Sequence, residues 1–154
     1  MEENTIEHIF DCPCWIVDLL PRQVPAGRGG NYFGVEQYFL SAAENTILRR
    51  KFCNILLKLY CYYDFRLSID GDNWTVQPSA TQLVQAVNAT IENGNDSSGN
   101  CYVLLPTVST LFVIRNGDAY MTVYDASDDL IGLLRPLVCS EGLFIWMPPR
   151  ESEE

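Results

Sequence analysis

The sequence predicts an α+β domain: a mostly antiparallel sheet with about three helices packed on it. Three observations lead there. The apolar segments follow the order β-α-α-β-β-α-β-β-β-α-β, in which hairpins outnumber crossovers. Two turn signals, Asp70-Gly71 and Asn116-Gly117, each sit between short strand-like runs. A hydrophobic content of 47% in 154 residues suffices for a single core spanning residues 1–154.

Trp15 to Leu20 is a run of large apolar residues stopped by Pro21, the pattern of a buried first strand with Asp18 as its one charged position. Residues 21–34 hold Pro21, Pro25, Gly27, Gly29, Gly30 and Gly34, which predicts a surface loop, and Val35 to Ser41 a short helix after it. From Thr46 to about Tyr62 the spacing of Leu48, Phe52, Ile55 and Leu59 marks one face of a helix, with Arg50, Lys51, Asn54 and Lys58 opposite. Phe65, Leu67 and Ile69 then alternate with polar residues, and Trp74 to Val76 returns as the second arm of a hairpin.

Ser79 and Gln82 form a capping box that opens a helix whose core side is Leu83, Val84, Val87 and Ile91, and Asn93-Gly94 ends it. Tyr102 to Leu105 and Leu111 to Arg115 read as strands, the second joined through Asn116-Gly117 to Ala119–Tyr124. Ser127 caps a last helix with Asp128 and Asp129 in its first turn, and Pro136 is expected to kink or shorten it. Leu143 to Met147 is the final strand, and acidic tails at about 1–8 and 149–154 are expected to be disordered. No internal repeat is visible.

The formal charge is −10, and it is unevenly placed. Between Leu67 and Leu134 stand Asp70, Asp72, Glu92, Asp96, Asp118, Asp125, Asp128 and Asp129 against one cation, Arg115. Such a field repels nucleic acid and anionic lipid, and it steers basic protein surfaces inward. No stretch approaches the roughly 20 apolar residues of a membrane span. The start, MEENTIEHIFDC, has no basic signal-peptide region, so the expectation is a cytoplasmic chain with reduced cysteines and unused Asn-x-Ser/Thr sites.

Chemistry-bearing motifs are weak. Cys12-Pro13-Cys14 beside the single histidine, His8, lacks the paired clusters that zinc requires, and no Gly-x-Ser-x-Gly elbow presents a serine. The groups Asp70/Asp72 and Asp125/Asp128/Asp129 sit where turns and helix caps ordinarily place aspartate. No catalytic residue, metal or cofactor is therefore expected. The leading expectation is a non-enzymatic module binding a basic protein, and one class that fits is an immunity or antitoxin protein that blocks a cationic nuclease. Its contact residues would be Asp118, Tyr120, Tyr124, Asp125, Asp128 and Asp129, aromatic anchors beside selecting carboxylates. The alternative is a small-ligand or phosphate-binding protein or enzyme, with Arg22, Arg28, Gly29 and Gly30 of the 21–34 loop cradling an anion. A homodimer seam built on exposed strand aromatics is the third possibility.

Overall fold

A computed structural model describes residues 2–92 and 99–149 of the chain. The helices are α1 (Glu2–Ile9), α2 (Gly29–Leu40), α3 (Asn45–Tyr60), α4 (Ala80–Glu92) and α5 (Asp128–Ser140). The strands are β1 (Cys14–Asp18), β2 (Arg66–Ser68), β3 (Thr75–Val76), β4 (Cys101–Leu105), β5 (Thr110–Ile114), β6 (Met121–Tyr124) and β7 (Phe144–Trp146). All strand pairs are antiparallel, in the order β3-β2-β4-β5-β6-β1-β7, so the α+β class holds.

Strand alternation divides the sheet into two faces. Val17, Val103, Phe112, Ile114, Met121 and Val123 point to one side, where they pack with Leu48, Phe52, Ile55 and Leu59 of α3, Leu83 and Val87 of α4, and Leu130, Leu134 and Val138 of α5. This is the main core. On the other face Leu104, Leu111 and Val113 are covered by Ile6 and Ile9 of α1. Every residue of β5 is consequently buried.

Helix starts follow their sequence signals. The backbone N–H of Gln82 donates to Ser79 Oγ at 3.1 Å, and that of Ser79 donates to Gln82 Oε1 at 2.8 Å. Ser127 Oγ accepts the N–H of Leu130 at 3.2 Å. The Asp70-Gly71 turn is held by Asp70, whose carboxylate accepts the N–H groups of Asp72 and Asn73 at 2.8 Å each. These hydrogen bonds favour the charged form and hold the carboxyl far below its usual pKa.

Four expectations need correction. The N-terminal segment forms α1, because Ile6 and Ile9 lie one helical turn apart and find an apolar sheet face to bury. Helix α2 begins at Gly29, inside the segment read as loop 21–34: Tyr32 and Glu36, one turn apart, are hydrogen-bonded, and Glu36 is in turn held by the Ala119 N–H, which fixes the Gly-rich first turns. Strand β6 begins at Met121, not Ala119, because the Ala119 N–H is drawn to Glu36 Oε2 at 3.0 Å. Pro136 does not shorten α5, which runs on to Ser140: Leu134 and Val138 on either side of it are buried in the core, while Pro136 itself is exposed. The predicted stop at Asn93-Gly94, the acid Asp96 and residues 150–154 of the expected C-terminal tail lie outside the described residues.

Candidate functional site

The six residues expected to form one contact surface fall into separate places. Asp118 and Tyr120 precede β6, while Asp125 follows it, so the four residues of the strand, about 13 Å of extended chain, lie between them. Tyr120 and Tyr124 share the face opposite the main core, since Met121 and Val123 point into it. Tyr124 is no open anchor. Its ring is met edge-on by Phe10 with centroids 5.0 Å apart, and its hydroxyl accepts from Arg115 Nη2 at 3.2 Å.

Asp125, Asp128 and Asp129 do stand together, all exposed, at the corner where β6 hands over to α5. Asp125 holds a left-handed backbone with φ of 61°, and its N–H donates to Pro13 O at 2.9 Å, which docks the strand that follows α1 against the corner. Cys12 lies close enough to feel both Asp125 and Asp11. Its thiol is raised above the ordinary range, by desolvation first and then by those two acids, the opposite of what a nucleophile needs. Among the described residues no Lys or Arg nitrogen lies within 4 Å of these three aspartates; the ion pairs are Arg49–Glu92 at 3.5 Å and Lys58–Glu141 at 3.7 Å.

A cavity of about 510 Å³ opens at the other end of the sheet, on the face away from the main core. Its wall is the loop Gln23–Gly27 with Tyr32 from α2. Its opposite side is Ile16 and Asp18 of β1, Tyr120 and Trp146. The indole N–H of Trp146 donates to Leu20 O at 2.9 Å, which ties β7 to the start of that loop.

Asp18 is 4% exposed, and its carboxylate accepts the Leu19 N–H at 2.7 Å. Burial pushes its pKa up to about 6, against the pull of the Leu19 and Leu20 N–H groups, and the nearby Glu36 adds to the rise. Glu36, itself buried on α2, accepts the Tyr32 hydroxyl at 3.3 Å as well as the Ala119 N–H. Desolvation and the charges of Asp18 and Glu36 drive the Tyr32 phenol far above its ordinary pKa, and burial with Asp118 beside it pushes Tyr120 up to about 12. Asp118 is raised by burial, partly offset by Arg115 and the Tyr120 hydroxyl.

The loop singled out for anion binding therefore does wall a cavity, with a different charge at its floor. Arg22 and Arg28 are exposed and neither lines it, whereas the buried charge belongs to Asp18, with Glu36 behind it. Gly29 and Gly30 form the first turn of α2 with no side-chain cap, and of the two Gly29 lines the cavity. A phosphate here would face carboxylates; a cation is what the floor favours. In the sequence Asp18 is visible only as a lone charge in an apolar strand, and Glu36 carries no motif. The shared signal is a single acid inside an otherwise apolar element, Trp15 to Leu20 and Val35 to Leu40.

Comparison with protein-family models, with curated proteins and with solved structures finds no match to this chain.

Proposed function

We propose that this chain is a non-enzymatic binding module for a basic protein, of the immunity or antitoxin kind, that acts in the cytoplasm and meets its partner first at Asp125, Asp128 and Asp129. The observation that carries this reading is the state of those three carboxylates: exposed, within five positions of one another, and without a cation in reach among the described residues. Three of the four cations of α3 are engaged elsewhere, since Arg49 pairs with Glu92, Lys58 pairs with Glu141, and Lys51 donates to the Glu141 carbonyl. Like charges held together at a fixed corner leave a field that a cationic surface relieves on docking, and such a field acts mainly on the association rate. Asp118, Tyr120 and Tyr124 are not primary contacts in this reading, because Tyr120 lines the cavity, Asp118 is engaged by the Tyr120 hydroxyl, and Tyr124 lies beneath Phe10.

The test is affinity capture from the native cells, followed by stopped-flow association with the captured protein at low and high salt. The partner is expected to be basic, and Asp125→Lys/Asp128→Lys/Asp129→Lys to slow association by about tenfold or more and flatten its salt dependence. An unchanged association rate, or capture of acidic proteins alone, overturns the reading.

A further inference from the structure

The cavity bounded by Asp18, Tyr32, Tyr120 and Trp146 is a second site, independent of the acidic corner. Its volume of about 510 Å³ lies within the usual range for small-ligand pockets. Its buried charge is negative, and among the described residues no Lys or Arg nitrogen comes within 4 Å of Asp18 or Glu36. Buried carboxylates without a counter-charge are costly, so a ligand that brings one is favoured.

Hydrogen-bonding capacity narrows the class of cation. Asp18 already accepts the N–H groups of Leu19 and Leu20. The Tyr32 hydroxyl is committed to Glu36, the Tyr120 hydroxyl to Asp118, and the Trp146 indole N–H to Leu20 O. What the cavity offers a ligand is thus a buried carboxylate and aromatic surface, with the hydroxyls of Tyr32 and Tyr120 and the indole N–H of Trp146 already engaged. A guanidinium carries five N–H donors and a primary ammonium three, and the rings of Tyr32, Tyr120 and Trp146 that wall the cavity accept none of them as a carbonyl would. A quaternary ammonium has no donor to satisfy, and aromatic rings attract it through their negative faces. Donation of the two phenols to carboxylates enriches those rings further.

We propose that this cavity binds a quaternary or N-methylated alkylammonium group, with Asp18 as its counter-charge and the rings of Tyr32, Tyr120 and Trp146 as its walls. The group is carried either by a free solute such as choline or by a trimethylated lysine side chain.

The experiment follows the indole and backbone amide resonances of the full-length protein by two-dimensional NMR during titration with choline, with its neutral isostere 3,3-dimethylbutanol, with ethylguanidinium, and with a short peptide bearing trimethyllysine or unmodified lysine. Choline or the trimethyllysine peptide is expected to produce saturable shifts centred on Trp146 and Tyr120, with the neutral isostere, ethylguanidinium and unmodified lysine weaker by about tenfold or more. The tighter of the two methylated probes identifies the source. Asp18→Asn keeps an acceptor for the Leu19 N–H and is expected to weaken binding by about tenfold; Tyr120→Leu, which removes a ring and leaves Asp18 in place, is expected to weaken it by a similar factor, with the dispersed amide spectrum of each variant reporting its fold. Equal binding of the neutral isostere or of ethylguanidinium overturns the proposal, as does the absence of saturable shifts with both methylated probes.

Discussion

Glu36 Oε2 accepts the backbone N–H of Ala119 at 3.0 Å, a contact that joins α2 to the loop between β5 and β6 across 83 positions of sequence. The same oxygen accepts the Tyr32 hydroxyl, so one buried acid fixes the helix, the loop and one wall of the cavity. Glu36→Ala leaves the Ala119 N–H without an acceptor in a buried place, and a loss of about 2–3 kcal/mol is expected in urea unfolding. Glu36→Gln, which keeps an acceptor oxygen, is expected to cost less than half as much.

Asp18 gives the fold a pH dependence of unusual sign. Burial holds its pKa at about 6 in the folded chain against 3.8 for an ordinary aspartate, so between these values the folded state holds the extra proton. Stability then falls as pH rises through that window, and the cost is complete above about pH 6. With allowance for water at the cavity mouth the effect is on the order of 1–2 kcal/mol. Asp18→Asn is expected to raise stability at pH 7 and to remove this contribution to the pH profile. Chemical unfolding at pH 4.5 and pH 7 measures both.

Two glycines are expected to respond to alanine with opposite signs. Gly34 lies within α2 with nothing inside 4 Å of an added Cβ, so Gly34→Ala should stabilise by about 0.5–1 kcal/mol through helix propensity. Gly99 has φ of +117°, and its Cβ would stand 2.8 Å from the carbonyl oxygen of Ile69. Gly99→Ala should destabilise by about 2 kcal/mol or more. Thermal midpoints of the two variants give the comparison directly.

Helix α1 shields the sheet face formed by Leu104, Leu111 and Val113 through Ile6 and Ile9, which are 6% and 2% exposed. Ile9→Asp places a charge in that contact and is expected to lift the helix at a cost of about 3 kcal/mol. A rise in dye binding to exposed apolar surface, with the main-core tryptophan environment of Trp15 preserved, marks local release of α1 as distinct from global unfolding.

The readable parts of the sequence were those in which a local rule and the tertiary structure agree. The face of Leu48, Phe52, Ile55 and Leu59, the Ser79–Gln82 box, the Ser127 cap and the Asp70 turn each carry a signal within a few residues, and each has its expected counterpart. Helix α2 was half hidden because its glycines resemble loop residues and its buried positions include a glutamate. Its purpose is visible only once Ala119 is seen beside Glu36. The candidate surface was legible in its charge but not in its grouping: Asp118 and Asp125 are close in sequence, yet a strand separates them. The cavity required the strand order, which brings Asp18, Tyr120 and Trp146 together from three distant segments and which no local pattern encodes.

Strand β1 lies between β6 and β7, pairing Cys14 with Tyr124 and Asp18 with Phe144. During synthesis the first strand must therefore wait, unpaired on both edges, until almost every other described element has left the ribosome. Assembly of this end of the sheet is a late, long-range event, and a nascent chain halted before Phe144 would carry β1 with one open edge of hydrogen-bonding groups, ready to recruit a neighbouring polypeptide.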